Sequence, residues 1–250
     1  MRAFEWVYLA AEPCLLPLHR EVRRRLLAVA RAATAGLRIL DVGGRKSPYT
    51  IGVPAQVTVS DLPRSSDLQR KLNLGMTPEM AARLLARRSN ISEVVFEDMT
   101  DSRLPGGAFD CVVAVEVLEH VDADEAFVRH AHRVLKPQGV LLMTTPNGET
   151  IPNRNPDHKR HYTREQLTAL LGAHFRRVSV EYAVRKGRLH RWGLASWSMA
   201  HPWHTARAML ANLANDARSR DPAVRRLALG TCYLLAAASK GGPEAAQGQT

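Results

Sequence analysis

The sequence predicts a doubly wound α/β fold: a mostly parallel sheet with helices on both faces. Three observations carry that expectation. Short apolar runs alternate with stretches of helical periodicity, the pattern of strand–helix–strand crossovers. One run, FDCVVAV at 109–115, is too continuously apolar for a half-exposed strand and suits the buried centre of a parallel sheet. Three of the first four strands end in an acidic residue, Asp41, Asp61 or Asp98, where open α/β sheets bind ligands.

Taken in order, residues 17–34 repeat Leu18, Val22, Leu26 and Val29 at helical spacing, with arginines on the other face. With the residues before them they form an N-terminal helical segment, 1–36. Strands follow at 37–42 and at 56–60, the second closed by Asp61. Thr77-Pro78 opens a helix running to about Arg88. EVVFE at 93–97 is the third strand and 109–115 the fourth. Asp122 is placed to cap a helix through Val134, which Pro137 and Gly139 terminate. VLLMTT at 140–145 is the fifth strand, and Thr163 with Gln166 forms a capping box for the next helix. Strands at 175–184 and 229–239 complete a domain spanning 37–240. A disordered tail is expected over 241–250.

Composition narrows the class. The chain is 45% hydrophobic and 24% charged, ordinary for a folded protein of 250 residues. No apolar run is long enough for a spanning helix, and the N-terminus reads as no signal peptide. The three cysteines, Cys14, Cys111 and Cys232, are scattered and form no CxxC, so a reducing cytoplasm is expected and a metal site is not. A net charge of +11 favours polyanions or an anionic membrane surface as partners.

The loop ILDVGGRKSPYT at 39–50 begins as nucleotide loops do, yet it is wrong for phosphates. Counting from Gly43, a GxGxxG pattern fails at Arg45 and Pro48, and the spacing of a P-loop is absent. A nucleotide cofactor without phosphates, S-adenosylmethionine (SAM), suits it better. The segments ILDVGG, VTVSD, FEDMTDSRLPGGAFDCVVAVEVLEHV, RVLKPQGVLLMTTPN and HKRHYTREQLTALL follow in that order. In this the chain resembles the class I SAM-dependent methyltransferases of the type-11/type-23-like group, over about residues 37–175. The stretch into EVLEHV is the most specific part.

The resemblance implies a seven-stranded Rossmann-like sheet and SAM as cofactor. It implies that Gly43 and Gly44 let the backbone approach the methionine moiety and that Asp41 orients that loop or the amino group. Asp61 would take the ribose hydroxyls, Asp98 and Met99 the adenine, and Val115 the methionine side. The family loop is DxGxGxG; Arg45 and Ser47 stand at its second and third glycine positions here, so this lobe is remodelled.

Methyl transfer to a hydroxyl benefits from a base. His120 and His161 are the candidates, each following the carboxyl end of a strand. The long loop before Thr163 reads as a substrate lid, with His158, Arg160 and Tyr162 as acceptor contacts. Residues 185–228 are an insertion between strands that this fold joins as a hairpin. They hold Trp192, Trp197 and Trp203 and nine Lys/Arg against two Asp. They suit an anionic membrane surface, a lid that grips the acceptor with Trp192 and Trp197, or a helical cap with the tryptophans inside. The expected activity is O-methylation of a small molecule, glycan or lipid-linked acceptor. RNA methylation and a non-catalytic docking role are the alternatives; the NPPY-like tetrapeptide of base-amine methyltransferases is missing after the fourth strand.

Overall fold

A computed structural model describes residues 1–33, 36–65 and 74–241; the expected tail beyond Gly241 lies outside the described residues. Seven strands form one sheet in the order β3-β2-β1-β4-β5-β7-β6. They are β1 (Arg38–Val42), β2 (Gln56–Asp61), β3 (Ile91–Phe96), β4 (Phe109–Val115), β5 (Leu135–Pro146), β6 (Arg177–Arg185) and β7 (Thr231–Ser239). The first five run parallel, and β7 lies antiparallel to both its neighbours. The chain order reverses between β1 and β4, so loops leaving those two strands diverge and open a crevice.

Among the described residues the helices are α1 (Ala3–Ala11), α2 (Pro17–Ala32), α3 (Pro78–Arg87), α4 (Asp124–Val134), α5 (Arg164–Gly172), α6 (Arg188–Gly193) and α7 (Pro202–Ser219). β4 shows why the sheet is covered twice. Val112 and Ala114 join the core packed under α4 and α5, while Cys111 and Val113 join the opposite core with Leu18, Val22 and Leu26 of α2. Alternate residues of a strand face opposite sides, so both sides must be apolar.

Three local expectations change. The helix α4 starts at Asp124 with Ala123 as its N-cap, and the Asp122 carboxylate, largely exposed, pairs with Lys159 at 3.1 Å. After α4 the chain enters the sheet directly at Leu135, opposite Phe109, and the register then shifts until Cys111 faces Val140. Within that bulge Gln138 takes φ 65°. Finally, residues 185–228 carry α6 and α7, and their tryptophans are not core: Trp192, Trp197 and Trp203 are all exposed.

The insertion is nevertheless clamped to the domain. A Cβ on Gly193 of α6 would collide with the Asn212 amide of α7, so glycine is needed for the two helices to meet. Asn212 Nδ2 donates to the carbonyls of Gly193 and Cys14. Asp216 of α7 is buried and accepts from Arg20 and Arg24 of α2 and from Arg220. From the insertion's own basic residues, Arg220 joins this cluster and Arg225 pairs with Glu21 and Glu181. Removing one partner of a buried ionic cluster leaves the others uncompensated. Asp216→Ala is therefore expected to cost about 3–5 kcal/mol of stability, read by denaturant unfolding.

Candidate functional site

The remodelled loop is organised by Asp41, at the end of β1. Its carboxylate is fully buried and accepts from Ser47 Oγ, from Tyr49 Oη at 3.0 Å and from Thr50 Oγ1 at 3.0 Å. Burial pushes its carboxyl above the usual range, against the pull of Ser47 and of Arg88. Arg88 braces the same loop from outside, Nη2 donating to Thr50 Oγ1 at 2.6 Å. Gly44 lies against this carboxylate and Gly43 turns the chain at φ 68°. No α-helix follows; residues 44–46 make only a single 3₁₀ turn.

Beside this loop is a cavity of about 340 Å³ at the carboxyl ends of β1, β2 and β4. Gly43, Asp61, Asp98, Met99, Val115 and His120 all line it. Asp61 accepts from the Leu62 amide at 2.9 Å, and Arg45 Nε stands 3.9 Å from its carboxylate. Burial raises the Asp61 carboxyl, partly countered by that amide and by Arg45. Asp98 accepts from the amide and the hydroxyl of Thr100, both at 2.8 Å. Asp41 is not in the lining; its role is to shape the loop.

A second cavity, of about 580 Å³, lies beyond β5 and is lined by Pro146, Ile151, His158, His161, His190 and Tyr233 among others. Glu116 is in the wall of both cavities. It directly follows β4 with φ 55°, a left-handed conformation uncommon for a side chain of this size, and Thr144 Oγ1 donates to it at 3.1 Å. Burial and the neighbouring Glu119 carboxyl push the Glu116 carboxyl well above its ordinary range. Glu119 is also raised by burial, partly countered by the nearby Thr145 hydroxyl, and neither of its carboxylate oxygens completes a well-formed hydrogen bond among the described residues.

The histidines are organised by carbonyl acceptors. His161 Nδ1 faces the Ile151 carbonyl at 2.8 Å and must carry the proton there, so its Nε2 accepts from His158 Nδ1 at 2.7 Å. His120 Nδ1 likewise donates to the Asp157 carbonyl at 3.1 Å. Both nitrogens of His161 are therefore occupied, while Nε2 of His120 and of His158 keep lone pairs. Burial and the adjoining His120 and His161 rings hold His158 below the usual histidine range.

Other expected acceptor contacts sit elsewhere. Arg160 pairs with Asp124 at 2.6 Å and donates to the Asp122 carbonyl. Tyr162 is buried, its hydroxyl on Asp124 at 2.7 Å. They fasten their loop to Asp122 and to Asp124 of α4 and do not line the second cavity. Trp192 stacks with Arg207 on the outer side, and neither it nor Trp197 lines that cavity. Glu119 went unnoticed in the sequence, although its spacing of three from Glu116 was available as a signal.

A family model described as "Methyltransferase domain" matches residues 17–217. A "Probable S-adenosylmethionine-dependent methyltransferase" of Mycolicibacterium smegmatis is 30% identical over 154 residues, 60% of this chain and 58% of that protein. A "Ubiquinone biosynthesis O-methyltransferase" of Xanthomonas oryzae is 31% identical over 191 residues, 70% of this chain and 75% of the relative. The chain thus spans less than two thirds of the first relative and three quarters of the second. Among solved structures, a SAM-dependent methyltransferase from Archaeoglobus fulgidus superposes with a TM-score of 0.55 at 17% identity, covering 89% of this chain and 94% of that one. The fold is therefore the Rossmann-like one expected.

The loop makes a sharp prediction. A Cβ at residue 44 would lie 2.4 Å from Asp41 Cγ. Gly44→Ala should therefore cost about 1–3 kcal/mol and lower the melting temperature, measured by thermal unfolding.

Proposed function

The chain belongs to the methyltransferase-domain family whose model it matches, and from that premise we propose that it methylates an oxygen of a small-molecule, glycan or lipid-linked acceptor with SAM as donor. The observation that carries this reading is the cavity at the strand ends, where Gly43, Asp61, Asp98, Met99 and Val115 line one space. These residues fit SAM. Two carboxylates can accept from a ribose diol and an adenine amine, and Met99 and Val115 offer apolar faces. A Cβ on Gly43 would come within 2.9 Å of Val117, so the loop presents bare backbone there.

When bound, SAM supplies a methyl group activated by attachment to a positively charged sulfur. Asp61 would hold the ribose hydroxyls, Asp98 and Met99 the adenine, and Gly43 and Val115 the methionine portion. Asp41 acts on the ligand only through the loop it shapes. The second cavity is the acceptor's place, with Glu116 as the shared wall. An acceptor hydroxyl must surrender its proton, and the available lone pairs are on His120 and His158 rather than His161. The Xanthomonas relative's description as an O-methyltransferase supports oxygen as the methylated atom.

A membrane-peripheral position, within the cytoplasm that the unpaired cysteines favour, is a second reading. No described helix is long and apolar enough to cross a membrane. Met199 is 97% exposed, Trp203 85% and Leu229 84%, all within or beside the insertion. Exposed indole and aliphatic groups in a basic segment suit the interface of an anionic bilayer.

Titration calorimetry with SAM tests the first reading. Asp61→Ala should weaken binding by roughly 10–150-fold, the equivalent of about 1.5–3 kcal/mol for a charge-assisted hydrogen bond. Asp98→Ala should also weaken it, with both variants folded. Unchanged affinity in both would remove the site assignment, and no SAM binding by the wild type would favour a docking protein. For the second reading, Met199→Ala combined with Trp203→Ala should reduce flotation with phosphatidylserine vesicles. Point changes are preferable to excising the insertion, which would remove Asp216. Equal flotation of variant and wild type would eliminate the membrane surface.

A further inference from the structure

We propose that Glu119, His120 and His158 form a binding site for one divalent transition-metal cation of the zinc class. One ligand atom from each lies within 4.8 Å of the others. The sequence raised no such expectation, because the third ligand comes from a loop nearly forty residues further on. A carboxylate with two imidazoles is a donor set that suits zinc and its first-row neighbours, and three protein ligands leave a position open.

Three further observations support the site. The first is the Glu119 carboxylate: it is fully buried, and although the Thr145 hydroxyl lies close by, neither oxygen completes a well-formed hydrogen bond among the described residues. A buried polar group without a partner costs free energy and calls for a reason, which a bound cation supplies. The second is the tautomer chain. The Asp157 carbonyl fixes the proton of His120 on Nδ1, and the Ile151 carbonyl, through His161, fixes that of His158 on Nδ1. Each ligand histidine is thus held with one nitrogen free, the outer-shell arrangement that metal-binding histidines use.

The third is that the two ligand-bearing segments are fastened together. The Lys159 amide donates to the Glu119 carbonyl at 2.7 Å. Neighbouring positive charges are drawn away, Lys159 to Asp122 and Arg160 to Asp124. A cation bound here would displace the proton from Glu119 and be held by one carboxylate and two imidazole nitrogens.

Its position matters if the methyl-transfer reading holds, and this part rests on that reading. His120 lines the donor cavity and His158 the acceptor cavity. A cation between them would act as a Lewis acid on an acceptor oxygen. It would also recast His120 as a ligand instead of a proton acceptor.

The test uses the full chain without an affinity tag, stripped with EDTA and titrated with Zn²⁺ by calorimetry in the absence of SAM. One equivalent should bind. Glu119→Gln and His158→Ala should each weaken binding by more than the roughly 10–100-fold that loss of an outer-shell partner costs. Co²⁺ added to the wild type should give the visible absorption of a low-symmetry histidine–carboxylate site, which decides the matter should either variant fail to fold. His201→Ala is the control, since His201 and His204 form an exposed pair at the start of α7. Absence of Zn²⁺ binding, binding unchanged in both ligand variants, or binding lost with His201→Ala overturns the proposal. S-adenosylhomocysteine titrated into the same preparations separates the two readings: its binding without a metal site defeats this inference alone, and a metal site without its binding defeats only the methyl-donor assignment.

Discussion

The buried carboxylate of Asp41 is the constraint on which the site depends. A charge withdrawn from water survives only if surrounding dipoles and cations replace the lost hydration. Here three hydroxyls within the next nine residues do so, with Arg88 behind them. That requirement wraps residues 43–50 around the end of β1 and puts Gly44 where no side chain fits. Arg23 of α2 holds the outside of the same loop through the carbonyls of Tyr49 and Ile51. The usual succession of glycines is replaced by a cross-linked polar knot, and the loop still presents Gly43 to the cavity.

The charge distribution has a similar logic. A net charge of +11 suggests a surface waiting for a polyanion. In the folded chain, many arginines are committed internally: Arg20, Arg24 and Arg220 to Asp216, and Arg25 and Arg225 to Glu21 and Glu181. This network joins α2, α7 and β6 on one side of the sheet. These arginines fasten the insertion to the N-terminal helix, but because each is matched by a carboxylate most of the excess positive charge lies outside the network.

Sequence patterns reported the central elements well because their causes are local. β4 has the predicted limits because burial on both faces demands an unbroken apolar run, and Thr163 with Gln166 makes the predicted box. Asp61, Asp98, Met99 and Val115 meet in one cavity because the topology brings those strand ends together. Legibility ends where long segments decide the outcome. Nothing near Arg160 or Tyr162 announces that Asp124 will claim both, and Trp192 gives no sign of facing outward. His158 meets Glu119 only through the path of a loop.

Glu116 shows how such a site bears on evolution under heat. Its left-handed backbone is a standing cost of order 1 kcal/mol or more for a residue with a Cβ, and its buried carboxyl adds to it. Glycine would relax the backbone and lift the melting point, yet it would breach the partition between two chambers. Selection for thermal endurance and selection for turnover therefore pull this position in opposite directions, and its identity would record which pressure has prevailed.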